Sequence, residues 1–588
     1  MKTSLNFLIF MLVVLNYSCR NSESLKIDDV ENDLLAAISN SIDNPVKYNI
    51  YQRMKYYNVP GVSIAVIDND EIVWAKGYGV LETGTKRKVT TKSIFQIGSV
   101  GKIITALTTL SLVEKGILDL DKDVNSYLKS WKITENKYTK GEKITLRELL
   151  SHTAGISDDY SAPFHRGSAI PSLTEHLRNN NYAVIKEPGE GYFYTGAGYI
   201  IIEQIIEDVT GKSYKSIAEE EVLQPLGVKD TYFQILLSSN LMNIAALAHH
   251  NDGTLYLDKY PVYPCFAPGT CNWSTAVDMA KLFIELQKSY YGKSNKILTQ
   301  TLTRIMMSNY SPAYGLGIKL ISEGGNTFIG HSGDFYGFHA CIYGYLKQGK
   351  GIVVLTNGDN GVLLYDEIIR SVAKVYHWPG CKQEIISDSD IDSLHYYKLC
   401  GCYFLPGKLD VMNIYKKGNR LYADVLGDTR SELIRVSSYK FYNRETDGFI
   451  NFFPDSDSTV QNVEFRRIGV LLPGVLLSGF DLLYTDRFNE GKRIILDSRE
   501  KYMSKSYFEN IFNSIGYELM GSGKTLRAIK VFKLALSIYP EASNLYDSIG
   551  EAYMKNRQRD QAIKNYKKSL ELDPKNMNAV EMLKKLGG

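Results

Sequence analysis

The feature that most constrains this sequence is an apolar segment, residues 103–113, which predicts a helix that is apolar on nearly every face. Gly116 follows closely, and glycine often ends helices because it adopts a left-handed backbone without strain. A helix of this kind is stable only where other elements cover it on all sides. The segment therefore predicts a large domain whose hydrophobic core surrounds this helix.

A serine and a lysine, Ser99 and Lys102, stand three positions apart where this helix begins. Residues three apart lie on one helix face, so the Lys102 ammonium can approach the Ser99 hydroxyl. Burial lowers a lysine pKa, and a neutral lysine can accept the proton of a serine nucleophile. We therefore predict Ser99 as a nucleophile and Lys102 as its base. The alternative is a serine that caps the helix beside a solvated lysine, and Ser437/Lys440 and Ser498/Lys501 share the spacing without a following apolar helix.

Composition bounds the architecture and excludes one class of partner. A chain of 588 residues predicts roughly three or four domains. A hydrophobic fraction of 44% is that of ordinary globular proteins, and a net charge of +3 gives no support for nucleic-acid binding. The cysteines show no metal-site spacing, so we expect neither a metal nor another cofactor. A Cys265–Cys271 disulfide stays open, because sequence does not fix cysteine pairing.

The N-terminus has the order of an export signal: Lys2, an apolar run from Leu5 to Leu15, then Ser18-Cys19. The run is too short to span a membrane. A cysteine after a small residue at this point resembles a bacterial lipoprotein signal, with cleavage and secretion as the alternative. We predict a signal over residues 1–19 with Cys19 as the lipidated residue, and a polar linker over residues 20–45. The protein is then exported, either to the bacterial periplasm or as a lipoprotein whose only membrane contact is its lipid anchor.

Two motifs flank the Ser99 helix in a recognisable order. A hairpin of two apolar strands, residues 62–67 and 72–75, precedes it, and Leu149-Leu150-Ser151-His152-Thr153-Ala154-Gly155 follows it. This order resembles the β-lactamase-related serine hydrolases, which include class C β-lactamases, D-amino-acid peptidases and related esterases. A histidine in such a turn is usually hydrogen-bonded within the protein, so we predict a structural role for His152.

The resemblance implies a tyrosine motif and an edge-strand motif, and the sequence contains both. Tyr194 matches the family tyrosine, whose phenol relays protons between the serine and the lysine. His331-Ser332-Gly333 stands where β-lactamases have Lys-Thr-Gly. The resemblance implies that His331 faces the substrate and that a backbone N–H just beyond Gly333 forms an oxyanion hole with that of Ser99. Asp334 comes next, and a carboxylate facing the pocket would repel anionic substrates and favour an amine.

One position departs from the family pattern. The family usually has asparagine two residues after the tyrosine, and this chain has Gly196. An asparagine amide there would hydrogen-bond the substrate amide and the lysine. Its absence weakens the prediction of amide or β-lactam hydrolysis, and it leaves ester cleavage and a non-catalytic role open.

The predicted fold class is α+β, followed by two domains of other classes. Residues 46–380 predict a β-lactamase- and penicillin-binding-protein-like domain, an antiparallel sheet flanked by helices, with residues 314–318 as one of its strands. Residues 390–490 contain short segments with period-two alternation, typical of a small β-barrel. This part resembles the lipocalin-like accessory domain found after some members of the family.

Residues 505–588 carry a repeat of 34 residues, in which Gly516 recurs as Gly550, Ala528 as Ala562 and Pro540 as Pro574. The period and the pattern are those of tetratricopeptide helical hairpins, so this segment could bind a protein partner. Residues 521–525 imitate a nucleotide-binding loop. We exclude that reading because Glu518 stands where the loop needs its first glycine and no strand precedes it.

Two functions follow from these residues. The first is a serine hydrolase that cleaves an amide, peptide or ester bond of a small-molecule or peptide substrate through an acyl-enzyme on Ser99. The second is a non-catalytic ligand-binding lipoprotein of the same fold, whose repeats recruit a protein partner. The order of Ser99, Lys102, Tyr194 and His331 favours the first, and Gly196 keeps the second open.

Overall fold

The computed structural model contains two compact units, one within Met1–Ile386 and one within Ser387–Arg467 and Leu471–Gly588. The signal, Cys19 and the Cys265–Cys271 pair lie outside the described residues. No helix among the described residues has the length and apolar content to cross a membrane. The structure describes residues 23–39, 47–157, 169–180, 182–234, 237–256, 272–323, 325–386, 398–405, 410–418, 420–425, 429–455, 460–468, 470–477, 479–484, 487–497, 507–574 and 576–587.

Strands of the first unit form one large antiparallel sheet and two small ones. They are β1 Ile38–Ser39, β2 Gly61–Asp68, β3 Glu71–Gly79, β4 Phe95–Gln96, β5 Tyr232–Phe233, β6 Asn272–Ser274, β7 Lys319–Glu323, β8 Asn326–Phe335, β9 Phe338–Tyr345, β10 Lys350–Thr356 and β11 Glu384–Ile385. The large sheet has the order β3-β2-β10-β9-β8-β7. One small sheet pairs β1 with β11, and the other has the order β4-β6-β5.

Helices cover this sheet. They are α1 over residues 23–32, α2 Ile50–Tyr56, α3 Gly101–Glu114, α4 Leu146–Ser151, α5 Leu173–Asn180, α6 Ala197–Thr210, α7 Tyr214–Ala218, α8 Ser239–Met242, α9 Ala276–Tyr290, α10 Gln300–Met306 and α11 Gly361–Val375. Single 3-10 turns span Gly98–Val100 and Val124–Ser126, and a π-helical turn spans Glu219–Leu223.

The helix predicted after Ser99 is α3, and it lies in the core of the first unit. All twelve residues from Gly101 to Leu112 are buried. The hairpin predicted before it is β2–β3, in which Asn69 and Asp70 adopt φ values of 54° and 61°. Two consecutive left-handed residues give the turn whose twist matches that of the strands it joins.

The strand predicted over residues 314–318 is wrong, because the strand at this point, β7, begins at Lys319. Residues 314–318 form a loop that packs against α3. Gly317 has φ 76°, and a Cβ on it would lie 2.5 Å from Ala106 Cβ and 3.0 Å from Lys102 O. This close approach replaces extended backbone with a turn, and it places Tyr314 in the interior, where it is 1% exposed.

The polar segment predicted as a linker is partly packed on the first unit. Val30 and Leu34 have no exposed surface. The Leu35 carbonyl accepts a hydrogen bond from Arg370 at 3.3 Å, and the Ala37 carbonyl accepts one from the Glu384 N–H at 2.8 Å. Residues 23–39 therefore belong to the first unit. A few apolar residues within a polar segment are enough to dock it.

In the second unit, eight strands form a closed barrel in sequence order. The strands are β12 Gly401–Leu405, β13 Asp410–Lys417, β14 Arg420–Val425, β15 Thr429–Ser437, β16 Lys440–Asn443, β17 Gly448–Pro454, β18 Val460–Arg467 and β19 Val470–Leu476. Of these strands, β16 has four residues and β19 is interrupted by proline and glycine.

Helices follow the barrel, and the 34-residue repeat has a direct packing basis. A Cβ on Gly516 would lie 2.2 Å from the ring of Phe532, and one on Gly550 would lie 3.0 Å from the ring of Tyr566. Each repeat therefore needs a glycine where an aromatic ring of the next helix packs on it. The helices are α12 Phe488–Asp497, α13 Tyr507–Gly521, α14 Thr525–Ile538, α15 Ser543–Lys555, α16 Arg559–Leu572 and α17 Met577–Leu586.

Barrel and repeats share one hydrophobic cluster. Cys402 and Phe404 of β12 lie in the same cluster as Phe480 and Phe512, and the rings of these two phenylalanines are 5.0 Å apart. The sequence predicts the barrel and the repeats as separate domains, whereas the two pack as one unit. The α+β domain, the all-β domain and the helical repeat are all present, so the predicted fold class is confirmed.

Candidate active site

Ser99 occupies the 3-10 turn between β4 and α3. The preceding strand β4 pairs with β6, and the Ile97 N–H donates to the Asn272 carbonyl at 3.0 Å. Gly98 enters the turn with φ 48°, a conformation that glycine adopts easily. Ser99 is partly exposed between two buried neighbours. The serine therefore stands at an accessible point of an otherwise buried segment.

Lys102 lies one helical turn further along α3 and is 3% exposed. Its Nζ donates a hydrogen bond to Ser99 Oγ at 3.0 Å. The same nitrogen lies 5.0 Å from the ring centroid of Tyr194 and 5.3 Å from that of Tyr199. Aromatic faces attract a cation at these distances. The predicted serine, lysine and tyrosine are therefore brought together.

Tyr194 is held by the backbone on both sides of it, and His152 supplies the contacts. The His152 carbonyl accepts a hydrogen bond from the Phe193 N–H at 2.8 Å, and its Nδ1 accepts one from the Thr195 N–H at 3.2 Å. The rings of His152 and Tyr194 are 4.3 Å apart. His152 follows α4 in a left-handed conformation and is buried. It has the hydrogen-bonded role that the sequence predicts.

Burial lowers the pKa of His152 well below its ordinary value, and the charges of Lys102, His331 and Lys319 lower it further. Burial likewise lowers the pKa of His331, together with Lys319 and Lys102. A buried imidazolium would lack hydration, and for His331 the opposing charge of Asp334 has a smaller effect than burial and the two lysines. Both histidines are therefore neutral at neutral pH.

Gly196 is the N-cap residue of α6 and offers no side chain to the helix start. The Thr195 hydroxyl accepts a hydrogen bond from the Gly198 N–H at 3.4 Å instead. The helix therefore begins without the amide that the family usually has at this position.

Strand β8 passes directly against the Ser99 turn, and Gly333 makes this possible. A Cβ on Gly333 would lie 1.9 Å from Ile97 O and 3.0 Å from Ser99 N. Strand β7 pairs with β8 only as far as Gly330, so the edge beyond Gly330 faces the turn. No side chain larger than a hydrogen atom fits at position 333 without moving the strand.

Backbone directions along β8 indicate a second N–H donor beside that of Ser99. The Ser332 carbonyl accepts a hydrogen bond from His331 Nδ1 at 2.6 Å. This carbonyl therefore points away from β9. Residues two apart direct their backbone groups to the same edge, so the Asp334 N–H shares this direction. A Cβ on Gly98 would lie 3.1 Å from Asp334 N. The N–H groups of Ser99 and Asp334 thus lie where strand and turn meet.

His331 does not face a substrate as the resemblance implied. It is 2% exposed, and both ring nitrogens have protein partners, Ser332 O for Nδ1 and Tyr314 Oη at 2.9 Å for Nε2. The loop that replaces the predicted strand brings Tyr314 under this ring. The expected direction of the side chain is therefore wrong, although the residue adjoins the site.

Lys319 and Ser332 are site residues that sequence reasoning missed. Lys319 Nζ donates to Ser332 Oγ at 3.1 Å, and Lys319 pairs with Gly330 as the first residue of β7. Placing the start of this strand at Lys319 would have brought the lysine beside the His331-Ser332-Gly333 motif.

Asp334 carries the opposite charge on the same strand. Its side chain is 60% exposed, and Oδ1 accepts a hydrogen bond from His339 Nδ1 at 2.7 Å. The edge therefore presents a cation near Ser332 as well as an anion at Asp334. Within the described ranges, no three or more metal-ligating side chains are grouped to hold a metal ion.

Two regions of the chain match known protein families. Residues 46–376 match the family model of the β-lactamases, and residues 543–576 match a tetratricopeptide repeat. Penicillin-binding protein 4* of Bacillus subtilis is 24% identical over 420 residues, which cover 67% of this chain and 90% of that protein. Protein flp of Staphylococcus aureus is 26% identical over 312 residues, 51% of this chain and 60% of that protein.

A solved structure of similar fold is that of the octameric penicillin-binding protein homologue from Pyrococcus abyssi. It is 23% identical, covers 72% of this chain and 98% of its own, and has a TM-score of 0.51. The family match extends over more than half of the chain and includes Ser99, Lys102, Tyr194 and the β8 edge. The chain therefore belongs to the β-lactamase family.

Proposed function

We propose that the protein is a serine hydrolase that cleaves an amide, peptide or ester bond through an acyl-enzyme on Ser99. The observation that carries the proposal is the 3.0 Å contact between Ser99 Oγ and Lys102 Nζ, with Lys102 buried at 3% exposure. Loss of hydration favours the neutral amine, which can accept a proton from the hydroxyl. Ser99 Oγ then bonds to the substrate carbonyl carbon as its proton passes to Lys102.

Tyr194 serves the second proton transfer in this scheme. Its ring lies beside Lys102 Nζ, and the contacts of His152 hold the backbone on both sides of it. The bond to the leaving group breaks, and the leaving nitrogen or oxygen takes up the proton through Tyr194. Water then attacks the acyl carbon and gives a proton to Lys102 and Tyr194. The bond between the acyl group and Ser99 Oγ breaks, Ser99 regains its proton and the acid is released.

The N–H groups of Ser99 and Asp334 would hold the negative oxygen of the tetrahedral intermediate. Their positions follow from the close approach of Gly333 to the Ser99 turn. Fixed donors at a developing oxyanion contribute about 3 kcal/mol each to the transition state in hydrolases of this kind. The close packing of β8 on the turn would therefore serve catalysis as well as stability.

Charges at the site favour a substrate that carries an anionic group. Lys319 offers a cation beside Ser332 on the β8 edge, while the Asp334 carboxylate accepts a hydrogen bond from His339. Gly196 removes the amide that would hold a substrate amide, and this favours esters. We infer a small-molecule or peptide substrate with a carboxylate, cleaved faster as an ester than as an amide.

Sequence features outside the hydrolase support an exported protein with a second binding module. The apolar run Leu5–Leu15 and Cys19 support export with a lipid anchor. Tetratricopeptide repeats elsewhere bind peptides, and the repeat at residues 543–576 supports a protein partner.

The test is active-site labelling of the full chain. The protein is incubated with a fluorophosphonate and, separately, with a penicillin, and any adduct is located by peptide mass. We expect a fluorophosphonate adduct on Ser99 and none in Ser99→Ala. Absence of any adduct on folded wild-type protein would refute the hydrolase and favour the ligand-binding alternative. Comparing p-nitrophenyl esters with D-amino-acid anilides then tests the preference for esters.

A further inference from the structure

Tyr314 lies between the two histidines of the site and is 1% exposed. Its Oη is 2.9 Å from His331 Nε2 and 3.3 Å from His152 Nε2. The loop that carries it is fixed by Gly315, where a Cβ would lie 2.4 Å from Met306 O. One hydroxyl group therefore connects the Tyr194 side of the site with the β8 side.

The other partners of the two rings fix the direction of each hydrogen bond. The Thr195 N–H can only donate, so His152 Nδ1 accepts and the neutral ring carries its proton on Nε2. The Ser332 carbonyl can only accept, so His331 carries its proton on Nδ1 and its Nε2 is an acceptor. Tyr314 Oη therefore accepts from His152 and donates to His331.

We propose that Tyr314 is a positioning residue of the active site, whose hydroxyl bonds to both His152 and His331 and holds these two rings, of opposite tautomer, in place. Through His152 it holds the backbone on both sides of Tyr194. Through His331 it orients the Ser332 carbonyl on the β8 edge, two residues before the proposed N–H donor of Asp334. Its effect on catalysis rests on the proposed function of Ser99, whereas the hydrogen-bond directions do not.

Charged and titratable groups surround this chain of hydrogen bonds on every element packed against it. A protonated His331 would donate from Nε2 and lose the hydrogen bond from Tyr314, so the hydroxyl favours the neutral ring. The groups that face the two histidines and Tyr314 are Lys102 on α3, Tyr192 and Tyr194 before α6, Tyr199 on α6, Lys319 on β7 and Asp334 on β8.

The first experiment measures the second-order rate of fluorophosphonate labelling at Ser99 against pH, in the full chain. Tyr314→Phe removes the hydroxyl, and Tyr310→Phe is the matched control, since Tyr310 bonds to Arg147 and the Ile305 carbonyl. For Tyr314→Phe we expect the acid limb to move up by about one pH unit, which is about tenfold slower labelling in the acid limb. Tyr310→Phe should keep the wild-type profile. A Tyr314→Phe profile with an unmoved acid limb would overturn the proposal.

The second experiment reads the histidine rings directly and does not depend on Ser99. Histidines labelled with nitrogen-15 in the full-length wild-type protein are assigned with His331→Gln and His152→Gln. At neutral pH we expect the proton on Nδ1 in His331 and on Nε2 in His152. The reverse tautomers, or charged rings, would overturn the proposal even if Tyr314→Phe does not fold. Expected tautomers without any Ser99 labelling would instead refute the proposed hydrolase and leave the hydrogen-bond chain standing.

Discussion

The spacing Ser-x-x-Lys occurs at Ser99 and Lys102 in the first unit and at Ser437 and Lys440 in the second. The first pair lies at the start of a buried helix, with Lys102 Nζ on the serine hydroxyl. The second pair lies across the β15–β16 hairpin, where Ser437 and Lys440 face each other in register. Ser437 is exposed, and Lys440 Nζ lies 4.7 Å from the ring centroid of Phe449.

The two pairs differ in what surrounds them rather than in their spacing. Around Lys102 the chain brings together aromatic rings and a strand edge from positions far apart in the sequence. Lys440 Nζ lies over an aromatic ring of the adjacent strand β17. A lysine in water stays charged and cannot accept a proton, whereas a buried one beside a hydroxyl can. Burial and contacts with distant segments, rather than spacing, therefore distinguish the Ser99 pair from the Ser437 pair.

The largest effect should come from removing the Ser99 hydroxyl, with removal of the Ser437 hydroxyl as the comparison. We expect Ser99→Ala to slow ester hydrolysis by more than about a thousandfold, because no other group can form the acyl-enzyme. Ser437→Ala should leave the rate unchanged. Steady-state kinetics with p-nitrophenyl esters measures both, and an active Ser99→Ala protein would mean that the comparison is drawn between the wrong serines.

Replacing the lysines should give the next largest effect. Lys102→Met keeps the length of a buried side chain and removes the amine, so we expect a loss of about a hundredfold to ten-thousandfold in kcat. Lys440→Met should have no effect on kcat. Circular dichroism confirms folding of both variants. Equal kinetics for the two variants would remove the distinction between Lys102 and Lys440.

Displacing the edge of strand β8 should lower kcat somewhat less. Gly333→Ala places a Cβ 1.9 Å from Ile97 O and pushes β8 away from the Ser99 turn. We expect kcat to fall by about a hundredfold to a thousandfold as the oxyanion donors separate. Gly521→Ala in the repeats, where a Cβ would meet no atom within 4 Å, is the control. Full activity in Gly333→Ala would show that β8 is not required at this distance.

The smallest effect is on stability. Lowering the pH should destabilise the first unit more than the second. Burial depresses the pKa of His152 and His331, so below their ordinary pKa of about 6.5 the unfolded chain binds more protons than the folded one. Stability of the first unit then falls as pH falls, by on the order of 1 kcal/mol per pH unit for each histidine. Residues 398–588 contain no histidine.

Hydrogen exchange followed by mass spectrometry, corrected for intrinsic rates, measures this difference between about pH 7.5 and 5.5. We expect peptides of α3 and β8 to lose protection while those of the barrel and repeats keep theirs. Equal losses in both units would contradict a histidine origin.

Much of the site can be predicted from the sequence because it depends on local patterns. The apolar stretch after Ser99 predicts a buried helix, and a helix fixes the distance from Ser99 to Lys102. The 34-residue period likewise predicts helical hairpins, since Gly516 and Gly550 each meet an aromatic ring of the next helix.

What sequence missed depends on contacts between distant segments. The resemblance implies that His331 faces the substrate. In the structure its ring contacts Tyr314 instead, because the loop around Gly317 packs on α3. Lys319 is not among the predicted site residues, because the sequence pattern places this strand five residues too early. The polar composition of residues 20–45 predicts a linker, yet a few apolar side chains dock residues 23–39 on the first unit. Side-chain direction and strand register are set by packing, which a local pattern does not contain.

The shared cluster of barrel and repeats bears on how the second unit can be divided. A stack of helical repeats leaves apolar surface at each end unless a cap covers it. Phe404 and Phe480 share one buried cluster with Ile511 and Phe512 at the start of the array, so we infer that the barrel is the N-terminal cap of a very short solenoid. A truncation between the barrel and the repeats would expose the apolar surface of their shared cluster on both fragments and favour aggregation. The repeats are therefore best produced, and best grafted onto other proteins, together with the barrel.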